Sequence, residues 1–125
     1  LMSTNLKVTA FKSDTLTYKI VSDSTLTNAA NTDVTSGSGA LHSFDIHNQH
    51  AANTTFLKIS LTAANPIVGT TVPDIQVRVG PATAIRVVIP GAVAFTKLSF
   101  WQVDNAGTGG TTASGSPVVV SMVTT

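Results

Sequence analysis

The chain has 125 residues and no cysteine: it can bury about two thirds of the surface its unfolded form exposes, and it lacks the ligands for disulfides, thiol catalysis or Cys-bound zinc. Seven Lys and Arg against six Asp, with no Glu, leave a net charge of +1, too balanced and sparse for a surface that tracks nucleic-acid phosphates. Charged residues make up 10% of the chain, where an average soluble domain has about 25%, so much of the surface is expected to be covered in the working state.

Thr and Val dominate the regular segments, and no window carries sustained 3.6-residue apolar spacing, so strands are expected throughout and no long helix. In chain order the expected strands are NLKVTAFK (5–12), LTYKIVS (16–22), ALHSFDIHN (40–48), TTFLKISL (54–61), DIQVRV (74–79), ATAIRVVI (82–89), a bent run AVAFTKLSFWQV (92–103) and PVVVSMVT (117–124). Eight short strands separated by turn signals imply one all-β domain, an antiparallel eight-stranded β-sandwich of jelly-roll-like type, with residues 1–12 as an N-terminal arm or edge strand. Asn65-Pro66, Gly80-Pro81 and Pro90-Gly91 mark the breaks in the middle of the chain. Two stretches rich in Gly, Ser, Thr and Asn, 27–39 and 104–116, are expected to be mobile surface loops. No run is long and apolar enough for a membrane helix, and the first residues lack the apolar core of a secretory signal.

The segment 82–89 carries apolar residues on both strand faces, Ile85, Val87 and Ile89 on one and Ala84 and Val88 on the other. Such a strand is buried inside and partly covered outside by a loop, another subunit or a partner. With a turn at Gly80-Pro81, segments 74–79 and 82–89 form a hairpin that sets Arg86 level with Asp74 and leaves Arg78 without a local acid. Arg is enriched at interfaces, so Arg78, Arg86 and the single Trp, Trp101, are the candidates for a protein-docking surface. Trp101 has two further readings, ligand stacking and cation–π packing against a nearby basic residue.

Catalytic signatures are absent from the sequence. There is no G-x-S-x-G elbow, and AGTGGTTASG (106–115) has neither the lysine nor the following helix of a phosphate-binding loop. In LHSFDIHNQH, His42 and His47 alternate to opposite faces of a regular strand, whereas Asp45, His47 and His50 are candidates for a metal chelate. The competing reading of that group is exposed polar residues flanking an inward-pointing Phe44 and Ile46. No cofactor is called for.

From Phe56 onward the order of pieces becomes characteristic: the strand Phe56 to Ile59, the turn Val68 to Pro73, the strand Ile75 to Val79, the segment Ile89 to Phe95, the loop Asn105 to Ser116 and a final apolar strand, Val118 to Val123. This order resembles small β-sandwich virion proteins of tailed bacteriophages, with GALHSFDIHN a looser match to the strand before it. The resemblance implies a non-enzymatic virion structural protein, foremost a capsid decoration (cement) protein on the outer surface of the head. The partners it implies are the major capsid protein and further copies of the chain, as in a trimer, with no nucleic acid and no membrane; assembly would occur in the host cytoplasm. A tail, baseplate or fibre component is the alternative within the same class, and a carbohydrate-binding β-sandwich module the alternative outside it. The His42–His50 region and Trp101 have no counterpart in the resemblance.

Overall fold

The structure is a computed structural model that describes residues 5–13, 16–115 and 118–125. Eight strands run in chain order: β1 (Leu6–Ser13), β2 (Leu16–Asp23), β3 (Gly39–Asn48), β4 (Thr55–Ser60), β5 (Ile75–Val79), β6 (Thr83–Phe95), β7 (Ser99–Val103) and β8 (Val118–Thr124). No helix occurs among the described residues. The strands form two antiparallel sheets, a broad one in the order β1-β2-β8-β3-β6 and a narrow one in the order β5-β4-β7.

One apolar cluster draws on both sheets. Val21, Phe44, Ile46, Val120 and Met122 of the broad sheet join Leu57, Ile59, Val79 and Phe100 of the narrow one, all buried. Period-2 alternation puts each set on a single face, and burying one such side chain contributes about 1.5–3 kcal/mol. Phe44 and Ile46 point inward, as the alternation of 40–48 implies.

Polar groups within this interior are paired. Asn48 donates from Nδ2 to the carbonyls of Asn53 (2.7 Å), Gly80 (3.1 Å) and Val79 (3.2 Å), tying β3 of the broad sheet to the end of β5. Asn31 donates to Asp23 Oδ2 at 2.8 Å, and Asp23 Oδ1 accepts from the Thr25 amide at 2.9 Å. Gln102, fully buried on β7, donates to the Leu26 carbonyl at 3.1 Å. Its Oε1 accepts from Thr55 Oγ1 (3.0 Å), the Ser114 amide (3.0 Å) and Ser114 Oγ (2.7 Å). A buried polar group without such partners would cost about 1–3 kcal/mol.

Three expectations are corrected. The expected hairpin of 74–79 and 82–89 does not form, because the chain crosses from the narrow to the broad sheet at Gly80 and Pro81: β5 pairs with β4, and β6 pairs with β3. Pro90-Gly91 does not end a strand. β6 lies at the sheet edge, where a proline withdraws no ladder donor, and it runs on to Phe95 through a kink in which Gly91 (φ 77°) and Ala92 (φ 60°) take left-handed backbone. The two stretches expected as surface loops are partly buried, since Ala30, Asn31, Val34, Thr35 and Ser114 are all shielded from solvent. The first runs beside β7, held by backbone bonds from Asn31 to Phe100 and from Val34 to Leu98, and the second reaches the outer side of the narrow sheet, where the Gly107 carbonyl accepts from Lys58 Nζ.

The expected N-terminal arm divides. Residues from Leu6 onward form the edge strand β1, whose neighbour is β2, and residues 1–4 lie outside the described residues.

Candidate docking surface

The two sheets differ in what covers their outer faces. On the narrow sheet, Trp101 and Val103 of β7 form a second small cluster with Ala30 and Val68 from the connecting loops. The outer face of the broad sheet has no such layer among the described residues. Its cross-strand register defines rows of side chains running from one edge to the other. One row is Thr9–Ile20–Val123–Ser43–Val88, and the row two residues along is Lys7–Ser22–Ser121–Asp45–Arg86. The face is therefore apolar at one end and polar at the other.

Strand β2 builds the apolar end against its own composition. Leu16, Tyr18 and Ile20 form the more apolar of its two phases, and this phase faces outward, with Leu16 and Ile20 exposed. The inward phase holds Thr17, Lys19, Val21 and Asp23; Lys19 Nζ donates to the Thr35 carbonyl at 3.2 Å, and Asp23 is held as described above. Phe11 on β1 stacks on Tyr18 with ring centroids 5.4 Å apart, and Tyr18 meets His42 edge-on at 5.5 Å. His42 sits at a β-bulge between Leu41 and Ser43, and its Nε2 is buried with no partner among the described residues. On β6, Val88 is 64% exposed.

The polar end contains residues singled out by sequence. Arg86 does not pair with Asp74. Its Nε donates to Asp45 Oδ1 at 2.7 Å and its Nη2 to Asp45 Oδ2 at 3.2 Å, because β6 lies beside β3. The hydrogen bond to Asp45 and then its charge raise the Arg86 pKa above the ordinary guanidinium value. Asp74 instead accepts from the Leu61 amide at 2.7 Å. Beside the ion pair lies a half-open depression of about 320 Å³, lined by His47, Ala84, Val119 and Ser121 among others. Asp45, His47 and Ser121 share this face. Yet Asp45 is bound to Arg86, and His47 Nδ1 lies 3.5 Å from Gln49 Nε2, so no serine–histidine bond links them among the described residues.

The candidate chelate is not assembled either. His50 Nδ1 accepts from the amides of Asn53 (2.9 Å) and Ala52 (3.1 Å), and no group of three potential metal ligands gathers among the described residues. Trp101 is corrected from interface candidate to interior residue, at 1% exposure beneath the loops. Arg78 is exposed on β5 opposite Phe56, with no ion pair among the described residues. Lys58, in the same outer phase of the narrow sheet, is 1% exposed. Its Nζ donates to the Gly107 carbonyl, and burial pushes its pKa below the ordinary lysine value.

Comparison with known protein families, curated proteins and solved structures finds no match. Sequence reading passed over Phe11, Leu16 and Ile20. The signal was their period-2 spacing, which marks a shared face without stating which way that face points.

Proposed function

We propose that the chain is a non-enzymatic structural protein of a bacteriophage virion: a capsid decoration, or cement, protein that docks on the major capsid protein and stabilises the head. The observation that carries this reading is the inverted strand β2, which turns Leu16, Tyr18 and Ile20 outward on a sheet face that none of the described residues covers. An exposed apolar patch on a chain with 10% charged residues is the mark of a surface used for assembly. Burying it contributes about 25 cal/mol per Å² before the costs of association, and repetition over many copies on a shell turns weak contacts into firm attachment.

The strand order supports a β-sandwich of jelly-roll type. With β2 taken as the first strand of the roll, β8, β3 and β6 follow across one sheet, and β7, β4 and β5 across the other. The isolated bridge between Asn31 and Phe100 brings the β2–β3 connection beside β7, where such a roll carries its second strand. On this reading β1 is an added edge strand. The resemblance of residues 56–123 to tailed-phage virion proteins supplies the assignment to a virion.

The test is composition and add-back. The chain is expected in purified particles in a fixed ratio to the major capsid protein, and to rebind particles stripped of it, raising their resistance to heat. Presence in isolated tails and absence from heads would replace the head assignment with a tail one.

A further inference from the structure

We infer that the depression at the polar end of the broad sheet is a binding site for a small carboxylic acid, a carboxylate carried on a compact apolar body. This goes beyond the assembly reading given above, because the depression lies outside the apolar patch assigned to the capsid protein. Arg86, Asp45 and His47, which the sequence singles out for an interface and a chelate, meet here.

Strand register builds the site from two adjacent rows on one face, Arg86–Asp45–Ser121 and Ala84–His47–Val119, carried by β6, β3 and β8. Ala84 ends its row in a methyl group, so the face sinks between the long side chains of Arg86 and His47. The hollow of about 320 Å³ stands at the low end of the range in which small ligands bind.

What is left unpaired in the lining decides the ligand. Asp45 takes one edge of the Arg86 guanidinium, with Nε donating to Oδ1 and Nη2 to Oδ2. The Nη1–Nη2 edge keeps three of the five N–H groups. Gln49 Nε2 only donates, so its contact with His47 Nδ1 at 3.5 Å places the imidazole proton on Nε2, a further donor. The Ser121 hydroxyl has no partner among the described residues. The carboxylate of the lining is already engaged at both oxygens, and Ala84 and Val119 supply apolar surface.

A second carboxylate fits the free guanidinium edge with two parallel, charge-assisted hydrogen bonds while its body rests on the methyl groups. An amide would bring donors to a lining of donors, and a cation would find Asp45 already neutralised. Because Asp45 offsets the charge of Arg86, attraction acts at hydrogen-bond range only. A half-open hollow of this size then gives a dissociation constant in the millimolar range.

Titration of the full chain with benzoate, followed by heteronuclear NMR of the amide groups, tests this. Saturable shifts are expected at 45–47, 84–86 and 119–121. Benzamide has the same ring without the charge and should bind at least about fivefold more weakly. Arg86→Gln should weaken benzoate at least about tenfold, and so should the double variant Asp45→Asn/Arg86→Gln, which leaves no unpaired Asp45 to repel the ligand. Ala84→Leu, which fills the hollow, should remove both ligands. Positions 84 and 86 are exposed, and unchanged spectra away from the site establish that the fold is kept. A glutamate blocked at both ends carries its carboxylate on a peptide and should bind at least about fivefold more weakly than benzoate. Equal or tighter binding of that probe would give the site to an acidic side chain of a protein and overturn the small-acid assignment. Absence of saturable shifts at these residues overturns it too, as does benzamide binding as tightly as benzoate. Each of these results leaves the virion assignment to be judged by particle composition, and absence from particles leaves this site standing.

Discussion

Replacing Gln102 with Leu probes the polar node that fastens the long loops to the narrow sheet. The two side chains have similar volume, so the change removes polarity without opening a large cavity. Four groups bonded to Gln102 at 3.1 Å or less lose a partner: the Leu26 carbonyl, the Thr55 hydroxyl, and the amide and hydroxyl of Ser114. Each unpaired buried group costs about 1–3 kcal/mol, but the two hydroxyls can rotate toward new acceptors, and leucine regains apolar burial. The net loss is therefore about 3 kcal/mol, which for a domain of this size lowers the melting midpoint by about 12 °C. Differential scanning calorimetry with a matched urea titration measures both. A loss under about 1 kcal/mol would refute the reasoning, because it would mean that the four groups had not depended on Gln102.

Lys58→Met should change how stability depends on pH. Because burial lowers the folded-state pKa of Lys58, the unfolded chain binds more protons between that lowered value and the ordinary 10.5. Wild-type stability gains from this group as pH rises through that window. The stabilising effect of Lys58→Met should accordingly be largest near neutral pH and shrink toward pH 10.5 in urea titrations, and a constant difference would contradict it. Fluorescence reports on Trp101 directly, since a tryptophan at 1% exposure should emit to the blue and resist acrylamide quenching, whereas a surface residue would do neither. Gly39→Ala would press its methyl group on the Thr125 carbonyl oxygen and, at 2.9 Å, on the Phe95 ring; a loss of about 1–3 kcal/mol is expected by urea denaturation.

Strand positions were largely legible because alternation and turn residues are local signals. β4 shows where locality ends. Phe56 and Lys58 lie opposite in phase to Leu57 and Ile59, and only the structure reveals that both phases are shielded, by the other sheet on one side and the loops on the other. Pro90 read as a break because a proline ends a central strand, and edge position is a property of the assembled sheet. Arg86 was matched with Asp74 on the assumption that consecutive strands pair, and the crossing at Gly80-Pro81 gave it Asp45 instead. The candidate surface suffered most. The sequence pointed to Arg78, Arg86 and Trp101 by residue type, whereas the exposed apolar end depends on which phase of β2 faces the core.

Cryo-microscopy of the assembled particle tests the central claim most directly. A reconstruction of the head should show this two-sheet domain seated on the outer shell, with the Phe11, Tyr18, Ile20 and Val88 end of the broad sheet buried against protein. A complete shell at side-chain detail that lacks the domain, in particles known to contain the chain, would contradict it.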